Sequence, residues 1–492
     1  MTSLPNDIYS VATVREIDRT AIEDEGIAGY TLMSRAGAAA VTEARARFPD
    51  AQRWQVVCGA GNNAGDGYVV ARIAAGEGIL VSVVALMDPA TLKGDAATAY
   101  GDFAAAGGVV TAWSGTLDAE AELLVDALLG SGLERDVQGE FALAVAAINA
   151  HAASVVALDV PTGLHADSGA VMGFAVRANL TVTFVGLKAG LFLGDGQDFC
   201  GEVVFADLGI PAQCRQSSKT EFRRIDDDRL QRCLLPRRRS AHKGDFGHVL
   251  VVGGSAGMPG AVRLCGEAAL RTGAGRVSIA TDPGHAAILV ASRPELMSHG
   301  VSAAQDLERL LDKTDVIAFG PGLGRSPWAA DLMAAISADR RPAVWDADAL
   351  NWLAESPVAA DNRVITPHPG EAATLLGEGV AAVQADRREA LHRLQERFGG
   401  VVVLKGSGTL VSSASGVPWL CTSGNPGMAS PGMGDVLTGV IAALLAQGLS
   451  PEDAAAVGVE VHARAGDHAA RRGERGLLAA DLLAELRGVI NL

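Results

Sequence analysis

The sequence predicts an α/β protein made of two different domains in tandem, each built on a parallel sheet. Three observations carry that prediction. Short apolar runs alternate with helical patterns along most of the chain, as they do where crossover helices join parallel strands. Hydrophobic residues make up 49% of the 492 and aromatics only 4%, with 59 glycines, which suits closely packed α/β layers. The alternation breaks once, in a charged stretch near the middle, and a chain of this length holds roughly two to four domains.

Taken in order, "VREIDRTAIEDEGI" and "TLMSRAGAAAVTEARARF" have the apolar spacing of amphipathic helices. The strands "WQVVCGAG", "LVSVVALM", "ELLVDALLG", "SVVALDVPTG" and "ANLTVTFVGLK" follow. Each is a run of β-branched or apolar residues, the signature of a strand buried on both faces. Ligands gather at the carboxyl ends of such strands. Residues 214 to 247, "CRQSSKTEFRRIDDDRLQRCLLPRRRSAHKGDFG", are dense in charge and lack apolar runs. The domain boundary is placed there, near residue 220, giving domains 1–218 and 219–492. The rhythm restarts at "HVLVVGGSAG" and continues through "GRVSIAT", "DVIAFGPGLG", "PAVWDADAL", "RVITPHPGE" and "GVVVLKGSGTLVSS". The halves show no repeat of one another.

The formal net charge of −16 repels nucleic acid and anionic membranes, so neither is expected as a partner. No two of the six cysteines have C-x-x-C spacing, so neither a zinc nor a redox motif is indicated. Scattered thiols suit a reducing cytosol. The opening "MTSLPNDIYS" lacks a basic and an apolar signal region. No apolar stretch approaches the roughly 18 residues of a membrane span. A cytoplasmic location is the expectation.

In the first half, "CGAGNNAGDGYVVAR" follows a strand and opens a helix. Gly59, Gly61 and Gly65 allow close backbone approach, and a helix N-terminus offers N–H groups to an anion. The spacing is not G-x-G-x-x-G, but two asparagines and Asp66 are ligand-forming side chains in what is otherwise an ordinary turn. Asp126 and Asp159 each end a strand. Each alone reads equally as a helix cap. With Asn63 they put three oxygen-bearing side chains on one sheet rim, which fits a hard cation.

These stretches, "CGAGNNAGDG", "VDALLGSGL" and "ALDVPTG", resemble the NAD(P)H-hydrate epimerase family over residues 10 to 213. Ala60 and Ala64 stand where that family usually has Pro and Gly. The resemblance implies a Rossmann-like three-layer α/β/α domain that binds K+ through Asn63, Asp126 and Thr162. It implies substrate contacts from Asn62, Asn63, Ala64, Gly65 and Asp66, from Gly130, Ser131, Gly132, Leu133, Glu134, Arg135 and Asp136, and from Asp159. Lys93 and either Asp136 or Asp159 are the acid/base candidates, with a solvated surface lysine the equal alternative for Lys93. The substrate, a nicotinamide ring hydrated at C6, must reversibly open or lose its hydroxyl for R and S forms to exchange. Charge develops on either path, which a carboxylate and a cation stabilise.

In the second half, "SPGMGDVLTG" places Gly432 and Gly434 before an apolar helix expected to start at Asp435 or just after. N–H groups at that helix start suit a transferring phosphoryl group, and Asp435 suits the base that accepts the attacking hydroxyl's proton. By itself the motif reads equally as an N-cap. The arrangement resembles the ribokinase-like superfamily. Across residues 240 to 482 it is most similar to the ADP-dependent NAD(P)H-hydrate dehydratases, through "HKGDFGHVLVVGGSAGMPGA", "FGPGLG", "WDADALN", "TPHPGE", "VVLKGSGT", "GNPGMASPGMGDVLTG" and "VHARAGD". The resemblance implies that Lys405, Gly406, Ser407, Gly408, Thr409 and Gly434 hold the nucleotide, and that Ala261, Gly322, His368 and Asp435 hold the hydrated dinucleotide. Asp346 and Asp348 read equally as strand-end caps, and His242 and Lys243 as solvated surface.

Phosphorylating the C6 hydroxyl turns a poor leaving group into a good one. The implied protein is a bifunctional repair enzyme acting on hydrated NAD(P)H and ADP, with K+ in one domain and Mg2+ accompanying ADP in the other. Both families tend to assemble, so a homo-oligomer is expected. The alternative is a ribokinase-like small-molecule kinase with an appended dinucleotide-binding domain, which leaves a stable phosphorylated product. A non-catalytic nucleotide sensor fits the four side chains Asn63, Asp126, Asp159 and Asp435 less well.

Overall fold

In residues 53 to 206, seven apolar runs form one sheet in the order Val110–Ala112, Leu80–Ala85, Arg53–Cys58, Leu123–Ala127, Ser154–Leu158, Leu180–Phe184, Glu202–Ala206. Every pairing in it is parallel. Strand side chains alternate between faces, and here both faces are covered. Val56 and Cys58 join the cluster built with Ala64, Tyr68, Leu32 and Ala36, whereas Val57 and Leu124 join Ala144, Val145 and Ile148. Helices Gly29–Arg47 and Asn62–Gly76 therefore lie on one face and Gly139–Ala150 on the other, giving three layers. Strand order reverses between Arg53–Cys58 and Leu123–Ala127, the position at which open sheets leave a crevice.

This is a computed structural model, and it describes residues 4–216, 218–412 and 414–491. Ser217, in the charged seam, and Ser413, at the end of the last predicted strand run, lie outside the described residues. The chain's contacts divide it into a unit up to Phe222 and a unit from Arg223 on.

The second unit's sheet runs Met297–Gly300, Arg276–Thr281, His248–Val252, Val316–Phe319, Ala343–Trp345, Arg363–Ile365, Val401–Leu404, all parallel. Leu410–Val411 and Trp419–Leu420 continue it antiparallel. The order reverses between His248–Val252 and Val316–Phe319. Helix Met433–Ala446 is buried along most of its length and crosses helix Pro259–Thr272 at backbone contact. A Cβ on Gly439 would lie 2.1 Å from the Cys265 carbonyl oxygen, so only glycine permits the crossing. That contact fixes where the N-terminus of Met433–Ala446 points.

Among the described residues no helix is long and apolar enough to cross a membrane.

Candidate functional site

The first unit gathers its polar residues at the sheet reversal. Asp126 ends its strand fully buried. Its Oδ2 accepts from the Thr162 N–H at 2.8 Å, and its Oδ1 from the Thr162 hydroxyl at 2.7 Å and the Leu128 N–H at 3.2 Å. Burial pushes the Asp126 carboxyl up to about 6, against those hydrogen bonds, which lower it. Asn63, in the first turn of Asn62–Gly76, is buried with neither its side-chain oxygen nor nitrogen partnered. A Cβ on Gly130 would lie 3.4 Å from that oxygen. A buried orphan carbonyl is an incomplete set of hydrogen-bond partners, and the hydroxyl of Thr162, which bonds Asp126, also lies 3.0 Å from the Leu129 carbonyl oxygen, next to Gly130. An oxygen-seeking monovalent cation fits that donor set.

Asp159 follows the carboxyl end of the strand paired with that of Asp126, on the same sheet rim, and its carboxylate has a partner of its own. It follows strand Ser154–Leu158 with φ at 66°, a left-handed conformation that turns its carboxylate toward Lys188. Lys188 is 1% exposed and forms an ion pair with Asp159. It also donates to the Phe184 carbonyl at 2.8 Å and the Thr183 hydroxyl at 3.0 Å. Burial would raise Asp159, but the Lys188 charge and hydrogen bond hold it below the usual carboxylate range. Asp66 and Asp18 face the same lysine. Burial raises both, Asp66 strongly, and the charge of Asp159 adds to each.

The proposed substrate loop, Gly130 to Asp136, is irregular and partly exposed, and Ser131 N–H reaches Asp159 Oδ2 at 3.4 Å. Leu133 lies within it, and Glu134, Arg135 and Asp136 are exposed. Gly65 is packed so closely that a Cβ would meet the Met33 side chain at 2.7 Å. Lys93, expected as an acid/base candidate, caps helix Gly94–Ala105 and is exposed. The lysine set against Asp159 is Lys188, which the sequence reading did not single out. Its signal was a lysine embedded in the apolar run "TVTFVGLKAGLFLG".

The second unit's site is an open cleft of about 510 Å³, lined by Asp346, His368, Glu371, Lys405, Gly432, Gly434 and Asp435 among others. Three strand ends supply the polar residues. Asp346 follows Ala343–Trp345, His368 and Glu371 follow Arg363–Ile365, and Lys405 follows Val401–Leu404. Lys405 Nζ donates to Asp346 Oδ1 at 2.8 Å and lies 3.7 Å from Glu371. Asp346 Oδ2 accepts from the Thr438 hydroxyl at 2.8 Å. A Cβ on Gly434 would lie 3.3 Å from Lys405 Nζ and 3.4 Å from Asp346 Oδ2, so the glycine turn seats directly on this pair.

The helix begins at Met433, not at Asp435, because Gly432 opens it with φ at 89°. Asp435 is thus in the first turn and is not the cap. Burial pushes it up to about 7, with repulsion from Asp346, Asp348 and Glu371 outweighing Lys405. His462, from helix Pro451–Ala470, is within 2.9 Å of the Met433 carbonyl oxygen, and burial lowers it to about 4, which leaves it neutral. The same helix holds the loop before the turn. Glu460 accepts from Ser423 at 2.7 Å, and Asp467 from the Gly424 N–H and the Asn425 amide at 2.9 Å.

His368 is an exposed N-cap whose Nδ1 accepts from the Gly370 and Glu371 N–H groups, with Glu371 closing the box at 2.8 Å. Gly322, with φ at 57°, abuts Ala261; the gap to a Cβ would be 3.2 Å. Gly406, Ser407, Gly408 and Thr409 form the turn after Lys405, tied by the Thr409 hydroxyl to Gly406 N at 3.3 Å. Asp348 accepts from the Gly324 N–H at 2.8 Å, a structural role. His242 caps the short helix Lys243–Phe246, away from the cleft lining.

A family model described as NAD(P)H-hydrate dehydratase matches residues 249–487, and one described as YjeF-related protein N-terminus matches residues 29–190. The bifunctional NAD(P)H-hydrate repair enzyme of Coxiella burnetii is 47% identical, covering 98% of this chain and 99% of its own length. That of Escherichia coli is 44% identical over 99% of this chain and 95% of its own. Among solved structures, a ribokinase-like superfamily protein from Enterococcus faecalis aligns at a TM-score of 0.50 with 29% identity, over 54% of this chain and 94% of that one. A hypothetical protein from Streptococcus mutans aligns at 0.51 with 27% identity, over 54% and 98%. With both halves matched in one order and full-length identity this high, the chain belongs to the family of bifunctional NAD(P)H-hydrate repair enzymes.

Proposed function

We propose that residues 1–218 interconvert the R and S forms of hydrated NAD(P)H and that residues 219–492 dehydrate the S form at the expense of ADP. The observation that carries the second activity is Asp435 in the first turn of the glycine-capped helix, over Lys405 and Asp346. Asp435 takes the proton from the C6 hydroxyl as that oxygen attacks the β-phosphorus of ADP. AMP leaves, bound by Lys405 to Thr409 and Gly434. The ring nitrogen's lone pair then expels phosphate from C6, and loss of a C5 proton restores the dihydronicotinamide. Ala261, Gly322 and His368 line the dinucleotide side.

Mg2+ would accompany ADP. Asp346, Glu371 and Asp435 against the single Lys405 leave excess negative charge that a divalent cation offsets. Among the described residues no three His, Cys, Asp or Glu side chains converge on an ion. Asp346, Glu371 or Asp435 would hold it, and it would supply positive charge to the transferring phosphoryl group.

In the first unit the carboxyls have environments that push them apart, which assigns acid and base. Asp159, ionised beside Lys188, accepts the C6 hydroxyl proton; Asp66, raised by burial, holds a proton to give. Asn62 to Asp66 and Gly130 to Asp136 would bind the hydrated nucleotide. K+ at Asn63, Asp126 and Thr162 would supply positive charge to the developing oxyanion. Asp126→Ala is expected to cut epimerisation by at least about 10-fold and to remove a K+-specific rise in thermal stability, while dehydration of supplied S form stays unchanged. Epimer ratios and melting curves in K+ against Na+ report both.

The reading is tested by incubating the chain with hydrated NADH, ADP and Mg2+. Dihydronicotinamide absorbance should return with release of AMP and phosphate. A stable phosphorylated dinucleotide instead would identify a kinase. Because Asp435 must be ionised to act as base, kcat/KM for dehydration should rise with pH through about 7 and level off above it. A flat profile from about pH 6 to about pH 8 would exclude Asp435 as the base. A cytoplasmic homo-oligomer is the proposed form, read by light scattering.

A further inference from the structure

Beneath the Lys405–Thr409 turn lies a cation that the chemistry above does not use. Arg387 opens helix Arg387–Phe398 and is 4% exposed. Its Nη2 donates to three carbonyls of the turn, those of Leu404 at 3.2 Å, Lys405 at 3.3 Å and Gly408 at 3.2 Å. Its Nη1 donates to Gln384 Oε1 at 2.7 Å, and its Nε has no partner. Every acceptor it meets is neutral. Burial lowers it to about 10, still fully charged at neutral pH. A buried, permanently charged group without a counter-charge is costly to keep.

The geometry shows what the cost serves. In a trans peptide the N–H points opposite to the C=O. Two of the peptides whose carbonyls converge on Arg387 are also held on their N–H side, Lys405 N–H by the Pro367 carbonyl at 2.9 Å and Gly406 N–H by the Thr409 hydroxyl at 3.3 Å, so the turn is locked from both sides with Gly406 and Ser407 exposed on its outer face. Gly406 has φ at 139°, and a Cβ there would lie 2.9 Å from Arg387 Nη1, so the turn wraps the guanidinium as tightly as glycine allows. Lys405 presents its ammonium to the cleft from the front while its own carbonyl is held from behind.

We propose that Arg387 is the positioning residue of the nucleotide turn, and that its uncompensated charge is balanced by the phosphates of the bound nucleoside diphosphate. This rests on the reading that the turn binds ADP. Arg387 touches neither substrate. It orients the peptide dipoles and adds a buried positive field directed at the diphosphate, so affinity should depend on the number of phosphates carried.

Gln384→Glu tests the charge with little change of shape, because the new carboxylate takes the place of the amide that already accepts from Nη1. The full chain is titrated calorimetrically with ADP, AMP and adenosine, and KM is measured for both dehydratase substrates. We expect ADP affinity to fall about 10-fold, AMP affinity to fall less and adenosine affinity to hold. KM for ADP should rise while KM for hydrated NADH and the epimerase rate stay at the wild-type level. Arg387→Lys, which cannot bridge three carbonyls, should weaken all three nucleosides. Wild-type ADP affinity in Gln384→Glu, or an equal loss for adenosine and ADP, would overturn the proposal. Failure of the unaltered chain to bind ADP would instead overturn the reading of the turn.

Discussion

Asp435→Asn should reduce dehydration by about 10²–10⁴-fold, the usual contribution of a positioned general base, and leave epimerisation intact. The substitution keeps the size of the side chain and removes only its proton affinity. It should also not weaken the fold. The folded carboxyl sits at about 7, above its unfolded value, so it favours the native state at low pH and that contribution is lost as pH rises through about 7. The melting temperature of Asp435→Asn relative to the wild type should therefore climb from acid toward neutral pH and then level off. Loss of dehydration with a matching loss of stability would point to a structural aspartate and remove the base from the mechanism.

Lys188→Met should abolish epimerisation and leave dehydration of supplied S form unchanged. It also strips Asp159 of its partner. Breaking a buried pair from one side costs about 3–5 kcal/mol, so the single variant should melt early. The double variant Lys188→Met/Asp159→Asn removes both charges and should recover most of that stability, as buried pairs commonly do when replaced together. Epimerisation should remain absent in the double variant, read from the epimer ratio after a fixed time. If the double variant epimerised at the wild-type rate, the couple would be a piece of architecture and the acid/base assignment would fall.

The fold was legible because its signals are local. Runs such as "WQVVCGAG" and "HVLVVGGSAG" are β-branched and end in glycine, and both proved to be central strands beside a reversal of strand order. The glycine loops were legible for the same reason, since a turn that a ligand approaches needs residues without side chains. What escaped the sequence reading were long polar side chains that the fold buries. Lysine and arginine are mostly exposed, so Lys188 read only as the end of a strand and Arg387 drew no reading at all. His462 stood in a quoted motif, but its contact with Met433 joins residues on two different helices and leaves no periodic trace. The start of the helix at Met433 was missed because glycine at Gly432 looks like a breaker until its positive φ makes it the first turn. The Asp159–Lys188 pairing depends on one left-handed backbone angle, which no spacing rule encodes.

Helix Pro451–Ala470 ties the Ser423–Asn425 loop through Glu460 and Asp467 and the glycine turn through His462. All three anchors ride on one rod, spread over about two turns at 1.5 Å per residue. The glycine turn is thereby gripped from two directions, by this rod at Met433 and by the Gly439–Cys265 crossing along its own helix, so the base is located by two independent supports.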